Sequence, residues 1–409
     1  MLSNSLVSIS KIFDQKFDKF YLPLIGVFLI LLFINSIYYI HFFVYSSNEW
    51  LVADWLINYS GGFVRRGLSG ELILLISNFF NIAAQDSLFF LFSSLQLFFF
   101  IFIFILLRQK QITFWFFLIF ASPSFLSFYI FDPSIIARKE ILIYLTYLAW
   151  MITLSRHSKV TFNTSIIFSI LGIFITLLHE IFVFYSVIFY LITIIYFKEK
   201  SLKLNYSIFI PLSSAATVIL IMLVPTGFNS LAICSRIIEA GIEPSVCEGG
   251  ILSWPARGVI EGFIHNLTIY NFWTPFGLVL ILFLPIIPFF LFSYSNHLLI
   301  NQPSNRLLFF LAIQLISMSP LFLVATDWGR WVNIQSILLG ISMIFFLMPK
   351  ISTNKIHIKN NPNQQLIGFG VPIILLIFMS SWNLRHCCRD GNFLFEFNGL
   401  IGSLASLIL

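Results

Sequence analysis

The sequence predicts an all-α, polytopic integral membrane protein. Three observations carry that class. Hydrophobic residues make up 59% of the 409 and charged residues only 10%, against about 25% charged in soluble domains. Eleven apolar stretches approach the length of about 20 residues that a helix needs to cross a bilayer. Lysines gather on alternate connections between those stretches, as the positive-inside rule requires of cytoplasmic loops. An ordinary soluble enzyme is excluded. With no low-complexity tract and no fixed period, disordered and fibrous chains are excluded too.

In chain order the predicted spans are 21–45, 88–107, 112–131, 140–155, 164–178, 181–197, 205–225, 274–292, 307–325, 332–348 and 366–382, so about eleven helices (10–12). A last apolar stretch, 399–409, is too short to assign. The chain reads as one transmembrane domain, 1–409, with outer loops 46–87 and 226–273 within it. Lys11, Lys16 and Lys19 precede the first span and no small-residue cleavage site follows it, so it reads as a retained signal anchor. With the N-terminus in the cytoplasm, the inside connections hold Arg108 and Lys110, Arg156 and Lys159, Lys198 to Lys203, Arg306, and Lys350 to Lys359.

The same assignment separates the charges. Eleven of 12 lysines fall inside, whereas 14 of 17 acidic residues and eight of 11 arginines fall outside. Topology alone treats Lys and Arg alike. Arginine, however, grips phosphate with a planar, permanently charged fork, so an outer face rich in Arg and carboxylates points to an anionic substrate.

Five outer segments carry the candidate chemistry. The first contains Asp54, then Gly61-Gly62-Phe63-Val64-Arg65-Arg66-Gly67, then an apolar run, Leu72 to Ala84. That run is too short to span and reads as a helix lying at the interface. The paired arginines sit between glycines, where the backbone can approach a ligand. The second, Asp132 to Glu140, brings Arg138 and Lys139, with Asp132 and Glu140 available to neutralise them. The third is His179-Glu180, with almost no loop around it; polar residues at that depth usually face a cavity, and a carboxylate beside an imidazole suits general base work. The fourth, 226–273, contains Cys234, Arg236, Cys247, Arg257, Glu261 and His265. All four cysteines, including Cys387 and Cys388, fall outside, where disulfides form. Cys234–Cys247 is the simplest pair among three connectivities. In the fifth, Asp327-Trp328-Gly329-Arg330-Trp331, Asp327 and Arg330 are spaced to pair on one helix face, and the Trp faces suit sugar rings.

Absences narrow the function. There is no GxxxxGK[ST] phosphate loop, so ATP hydrolysis is not expected. There is no strong internal repeat and few charges sit mid-span, which weighs against an inverted-repeat transporter or an ion path.

The layout resembles the multi-spanning glycosyltransferases of the GT-C superfamily, in which a long first outer loop carries an acid and short interfacial helices, and the substrate is a polyprenyl-linked sugar. Asp54 stands where that acid is expected. Through Asn58-Tyr59-Ser60-Gly61-Gly62-Phe63-Val64-Arg65-Arg66-Gly67, His179-Glu180 and Asp327-Trp328-Gly329-Arg330-Trp331, the chain is similar to Wzy-type O-antigen polymerases.

The resemblance implies a GT-C-like fold in a bacterial inner membrane, with the site on the periplasmic side. It implies polymerisation of polyprenyl-diphosphate-linked oligosaccharide units for surface polysaccharide or lipopolysaccharide. Glu180, His179 and Asp54 are then the candidate bases, with Glu180 preferred. Arg65, Arg66, Arg138, Lys139 and Arg330 bind the diphosphate, alongside Asp327 and with Arg236 as a mobile contact. No cofactor is expected, since arginine supplies the electrostatics, and a divalent cation stays open. Partners are the lipid-linked oligosaccharide, the bilayer and a chain-length regulator protein, with no nucleic acid. The alternatives are a GT-C enzyme adding a single sugar or modifying group from a polyprenyl-phosphate donor, or a lipid-linked oligosaccharide transporter.

Overall fold

A computed structural model describes residues 2–110, 114–157, 159–197, 205–224, 229–248, 250–253, 304–324 and 327–346, with isolated positions between 112 and 396. The described chain is all-α apart from one two-residue antiparallel pair, Asn383 to Leu384 against Phe395 to Glu396. Its helices are α1 (Leu2–Tyr45), α2 (Val52–Leu56), α3 (Gly67–Phe80), α4 (Ala84–Leu107), α5 (Phe114–Phe120), α6 (Phe128–Phe131), α7 (Glu140–Arg156), α8 (Phe162–Leu178), α9 (Phe182–Phe197), α10 (Phe209–Leu223), α11 (Ser230–Glu239), α12 (Ser304–Val324) and α13 (Trp328–Phe346).

Four segments among the described residues are long and apolar enough to cross a membrane: Tyr21–Tyr45, Ala84–Leu107, Tyr206–Leu223 and Trp328–Phe346. Helices α7, α8 and α9 are slightly shorter. Eight of the eleven predicted spans coincide with helices, and 274–292 and 366–382 lie outside the described residues but for single positions.

The apolar surface is arranged for lipid. On α1, Val27, Ile30, Leu31, Ile34, Tyr38 and Phe42 are all more than half exposed. In water so large an apolar face would be an aggregation site; in a bilayer it is solvated. At the other extreme, every residue of α13 from Trp328 to Ile344 is buried. This helix is the axis of the fold, packed on α7 and α12.

One expected span is broken. Residues 112–131 form α5 and α6, separated by a buried turn at 121–127 instead of running as one helix. Pro123 lacks a donor and disfavours helix at the residue before it. Non-helical backbone at membrane depth must be satisfied from within the protein. Here Asn333 of α13 donates through Nδ2 to the carbonyls of Ser124 (3.1 Å) and Phe125 (2.9 Å), and the Ser127 hydroxyl donates to the Ala121 carbonyl at 2.7 Å.

The segment between α1 and α4 is ordered and folded. Helix α3 covers most of the predicted short helix at Leu72 to Ala84, ending at Asn81 in a left-handed conformation. Its outer face carries Leu75, Ile76, Phe79 and Phe80, all exposed. Gly70 lets α3 lie directly on the α2 end: a Cβ there would collide with the carbonyls of Leu56 and Ile57, and its own N–H donates to Ile57 O at 3.0 Å.

Candidate functional site

The segments that the alternating topology assigns to one side meet at one end of the helices. Helix α2 presents Asp54, which is 3% exposed. The Trp55 indole donates to the Ala137 carbonyl at 2.7 Å and so ties the first loop to the turn before α7. From that turn Lys139, fully buried, donates to the Asp54 carbonyl at 2.7 Å and stands 3.6 Å from its carboxylate. The ammonium also lies 5.6 Å from the Trp55 ring centroid, within cation–π range.

Arg66 is the junction of the site. It caps α3 with φ 67°, a left-handed conformation uncommon outside glycine and often retained where function requires it. Its Nε and Nη2 each donate to Glu180 at 2.8 Å, and Nη1 donates to Asp54 at 3.1 Å. Arg65 reaches the same Glu180 carboxylate at 3.8 Å from a more open position.

Glu180 and His179 are placed by the break between α8 and α9. His179 has extended backbone (φ −157°, ψ 102°) and ends α8 with its N–H on the Ile175 carbonyl. Its Nε2 lies 3.2 Å from Glu140 Oε1, and its Nδ1 lies 3.9 Å from Glu180 Oε2. Glu140, the first residue of α7, also meets Arg330 Nε at 3.0 Å. Arg330 bridges Asp327 at 3.0 Å and lies over the Trp331 ring, 4.6 Å from its centroid. The spacing-based pairing of Asp327 and Arg330 is therefore formed.

The result is a continuous chain of alternating charge: Lys139, Asp54, Arg66, Glu180, then across His179 to Glu140, Arg330 and Asp327. Among its loop residues the field has clear directions. Burial raises the Asp54 carboxyl, but Lys139, Arg66, His179 and Arg138 overcome it and hold Asp54 at about 2. Burial, with Arg66 adding to it, brings Lys139 down to about 8 against the pull of Asp54 and Glu180. For Glu180, burial is likewise outweighed, by Arg66 and His179, so its carboxyl sits well below the usual range. Burial lowers the Arg138 guanidinium, and neighbouring Arg330 lowers it further, against the pull of Asp327, Asp54 and Glu140.

Arg138 differs from the rest. It is 8% exposed, yet no carboxylate bridges it within 4 Å among the described residues. Its Nη1 donates to the Trp50 carbonyl at 3.2 Å and its Nε has no partner. It lines a small crevice with Glu140, Tyr144, Arg330 and Asn333. Neither Asp132 nor Glu140 neutralises the Arg138–Lys139 pair as the sequence suggests. Asp132 accepts from Ser134 at 2.5 Å, Glu140 is turned to Arg330 and His179, and Lys139 is answered by Asp54.

Of the sequence candidates, Asp54, Arg65, Arg66, Arg138, Lys139, His179, Glu180, Asp327 and Arg330 converge. Arg236 is not a member of this cluster. It forms a two-pronged pair with Glu71 of α3, at 2.8 and 2.9 Å, and docks α11 on the first loop. Asn58 and Ser60 donate to the carbonyls of Ile233 and Ala232, and a Cβ at Gly61 would strike the Asn229 carbonyl. Cys234 and Cys247 are joined in a disulfide within this segment; Arg257, Glu261, His265, Cys387 and Cys388 lie outside the described residues. Glu140 is the member that sequence reasoning treated only as a counter-charge. Its signal was its place at the first turn of a span, in a four-charge run where hydration ends.

A family model described as "Uncharacterised membrane protein Rv1490" matches residues 22–249, more than half of the chain and nearly all of the cluster. No curated protein and no solved structure matches.

Proposed function

The chain belongs to the Rv1490 membrane-protein family, and from that premise we propose that it is a glycosyltransferase acting on polyprenyl-diphosphate-linked oligosaccharides, joining repeat units on the outer face of a bacterial inner membrane. One observation carries the reading. The cluster, buried at Asp54, Arg138, Lys139, Glu140 and Arg330 and more open at Arg65, Glu180 and Asp327, holds five cations, Arg65, Arg66, Arg138, Lys139 and Arg330, against four carboxylates, Asp54, Glu140, Glu180 and Asp327. With the imidazole neutral, one positive charge is left over, and Arg138 is the cation with no ion pair: Asp327, Asp54 and Glu140 act on it only from beyond 4 Å. A buried cation without a paired carboxylate is costly, and an anionic substrate group relieves that cost.

The chemistry follows from the arrangement. Charge develops on the departing diphosphate, and preorganised arginines stabilise that charge best in the transition state. Arg65 and Arg66 stand at the more open end of the cluster, where a phosphate competes with Glu180 for their forks. The Cys234–Cys247 disulfide supports an oxidising compartment for the loops on this side, and Lys110 caps the far end of α13 through the Phe345 and Met348 carbonyls. The donor carries its own activated bond, so no nucleotide is consumed.

The test is genetic and direct. Arg138→Gln and Arg65→Ala are introduced singly in the native host, protein levels are followed by immunoblot, and surface polysaccharide is run on a gel. The expected result is collapse of the ladder to one repeat unit with the protein still present. An unchanged ladder refutes the polymerase. An intact ladder lacking one sugar substituent transfers the assignment to single-group addition from a polyprenyl-phosphate donor.

A further inference from the structure

Glu180 is an acid poorly placed to accept a proton, because both of its oxygens are engaged by Arg66 at 2.8 Å. The neighbouring His179 is differently situated. It is 2% exposed and its two ring nitrogens meet unlike surroundings. Nε2 faces Glu140, whose Oε1 also meets the Arg330 guanidinium at 3.0 Å. A carboxylate paired with arginine is an acceptor only, so Nε2 is the nitrogen that carries a hydrogen, and in the neutral ring Nδ1 holds the lone pair. Nδ1 has no hydrogen-bond partner; Glu180 Oε2 stands 3.9 Å away, beyond hydrogen-bond length.

We propose that His179 is the proton acceptor of this site and that Glu140 is its positioning residue. The proposal rests on the glycosyl-transfer reading and names the acid–base pair within it. The acceptor hydroxyl gives its proton to Nδ1 as its oxygen bonds to the anomeric carbon. The bond from that carbon to the phosphate oxygen breaks, and its electron pair leaves with the diphosphate. The imidazolium then returns the proton to solvent. Around the ring stand Glu140 from α7, Glu180 beside it, Arg66 and Asp54 from the first loop, and Arg330 from α13. The two nearest are carboxylates, so the cationic ring formed during the reaction is stabilised on both sides. An acid that fixes the tautomer of a catalytic histidine without itself taking the proton is a recurring device in acyl transfer.

Two measurements on the full chain in lipid nanodiscs decide it. In ¹⁵N-histidine NMR, the His179 resonances, identified by their absence in His179→Gln, show the Nε2–H tautomer in the parent and a tautomer mixture in Glu140→Gln. An Nδ1–H ring in the parent overturns the proposal. For turnover, the probe is the lipid-linked saccharide that accumulates in a host strain lacking this protein. Glu140→Asp keeps a charge for Arg330 and protects folding; it lowers kcat about 10-fold, and Glu140→Gln lowers it on the order of 10²-fold, both with KM within twofold. The acidic limb of the kcat profile shifts in Glu140→Gln. Turnover that survives His179→Gln overturns the base assignment alone. A parent protein that binds the probe without turning it over overturns glycosyl transfer, and the assignment with it.

Discussion

Lys139 donates to the main-chain carbonyl of Asp54 while its ammonium faces the carboxylate of the same residue. One side chain thus fixes both the position and the charge of the loop acid, from a turn that lies 85 residues later in sequence. The pair joins the segment between α1 and α4 to α7, and its behaviour with pH reports on the integrity of the whole cluster.

The Lys139 ammonium titrates near 8 in the folded protein against a reference of 10.5. A lowered lysine means that the unfolded chain binds more protons between those values, so stability rises with pH from about 8 to about 10.5. The upper bound is about 3 kcal/mol. Thermal unfolding of nanodisc-embedded protein across that range checks it; Lys139→Met loses the dependence.

Asp54 behaves oppositely. Its folded value of about 2 lies below the reference of 3.8, so the stability it contributes is complete above about 4 and is lost as pH falls through 2. Asp54→Asn leaves Lys139 and one prong of Arg66 without a counter-charge in a buried setting. A loss of about 3 kcal/mol is expected, read as a lowered unfolding midpoint at neutral pH.

Arg138 and Arg66 separate binding from folding. Arg66→Ala leaves Asp54 with Lys139 alone and Glu180 with only the more distant Arg65, with an expected loss of about 3 kcal/mol. Arg138→Gln strands no carboxylate among the described residues and removes an unpaired buried charge, so its unfolding midpoint stays the same or rises while saccharide turnover falls at least 10²-fold. A large stability loss at Arg138 refutes the surplus-charge argument.

Asn333 is a stability site outside the charge chain. Replacing it by Leu leaves the Ser124 carbonyl without its donor and the Phe125 carbonyl with the Phe128 N–H alone. A buried carbonyl without its donor costs about 1–3 kcal/mol. Unfolding in increasing denaturing detergent measures the shift, and Asn333→Gln does not restore it, because the longer side chain places its amide elsewhere.

Much of this was legible from the residues. The spans were readable because a bilayer imposes a length of about 20 apolar residues on each crossing, and eight crossings follow directly. The membership of the cluster was readable because alternate crossings assign Asp54, Arg66, Glu180 and Arg330 to one side. The pairing inside it was not. Glu140 stands one residue from Lys139 and two from Arg138, yet bonds Arg330 and His179, because helix entry at residue 140 points it toward α13. The turn at 121–127 is not legible from Pro123 alone, since its polar backbone is satisfied by a residue about 200 positions away. Arg236 looked like a site arginine by type alone; its partner Glu71 is set by the docking of α11.

The charge chain also orders the birth of the protein. Glu140 leaves the ribosome long before Arg330, its strongest partner, exists. Until α13 is inserted, Glu140 has only His179 to lean on, and the turn at 121–127 has no Asn333 to cap it. A nascent chain ending before residue 328 therefore lacks the Arg330 partner of Glu140 and the Asn333 donor of the Ser124 carbonyl, both of which the finished protein has. Membrane quality control has a chemical signature to read in it, and truncations just before α13 are the forms expected to be degraded fastest.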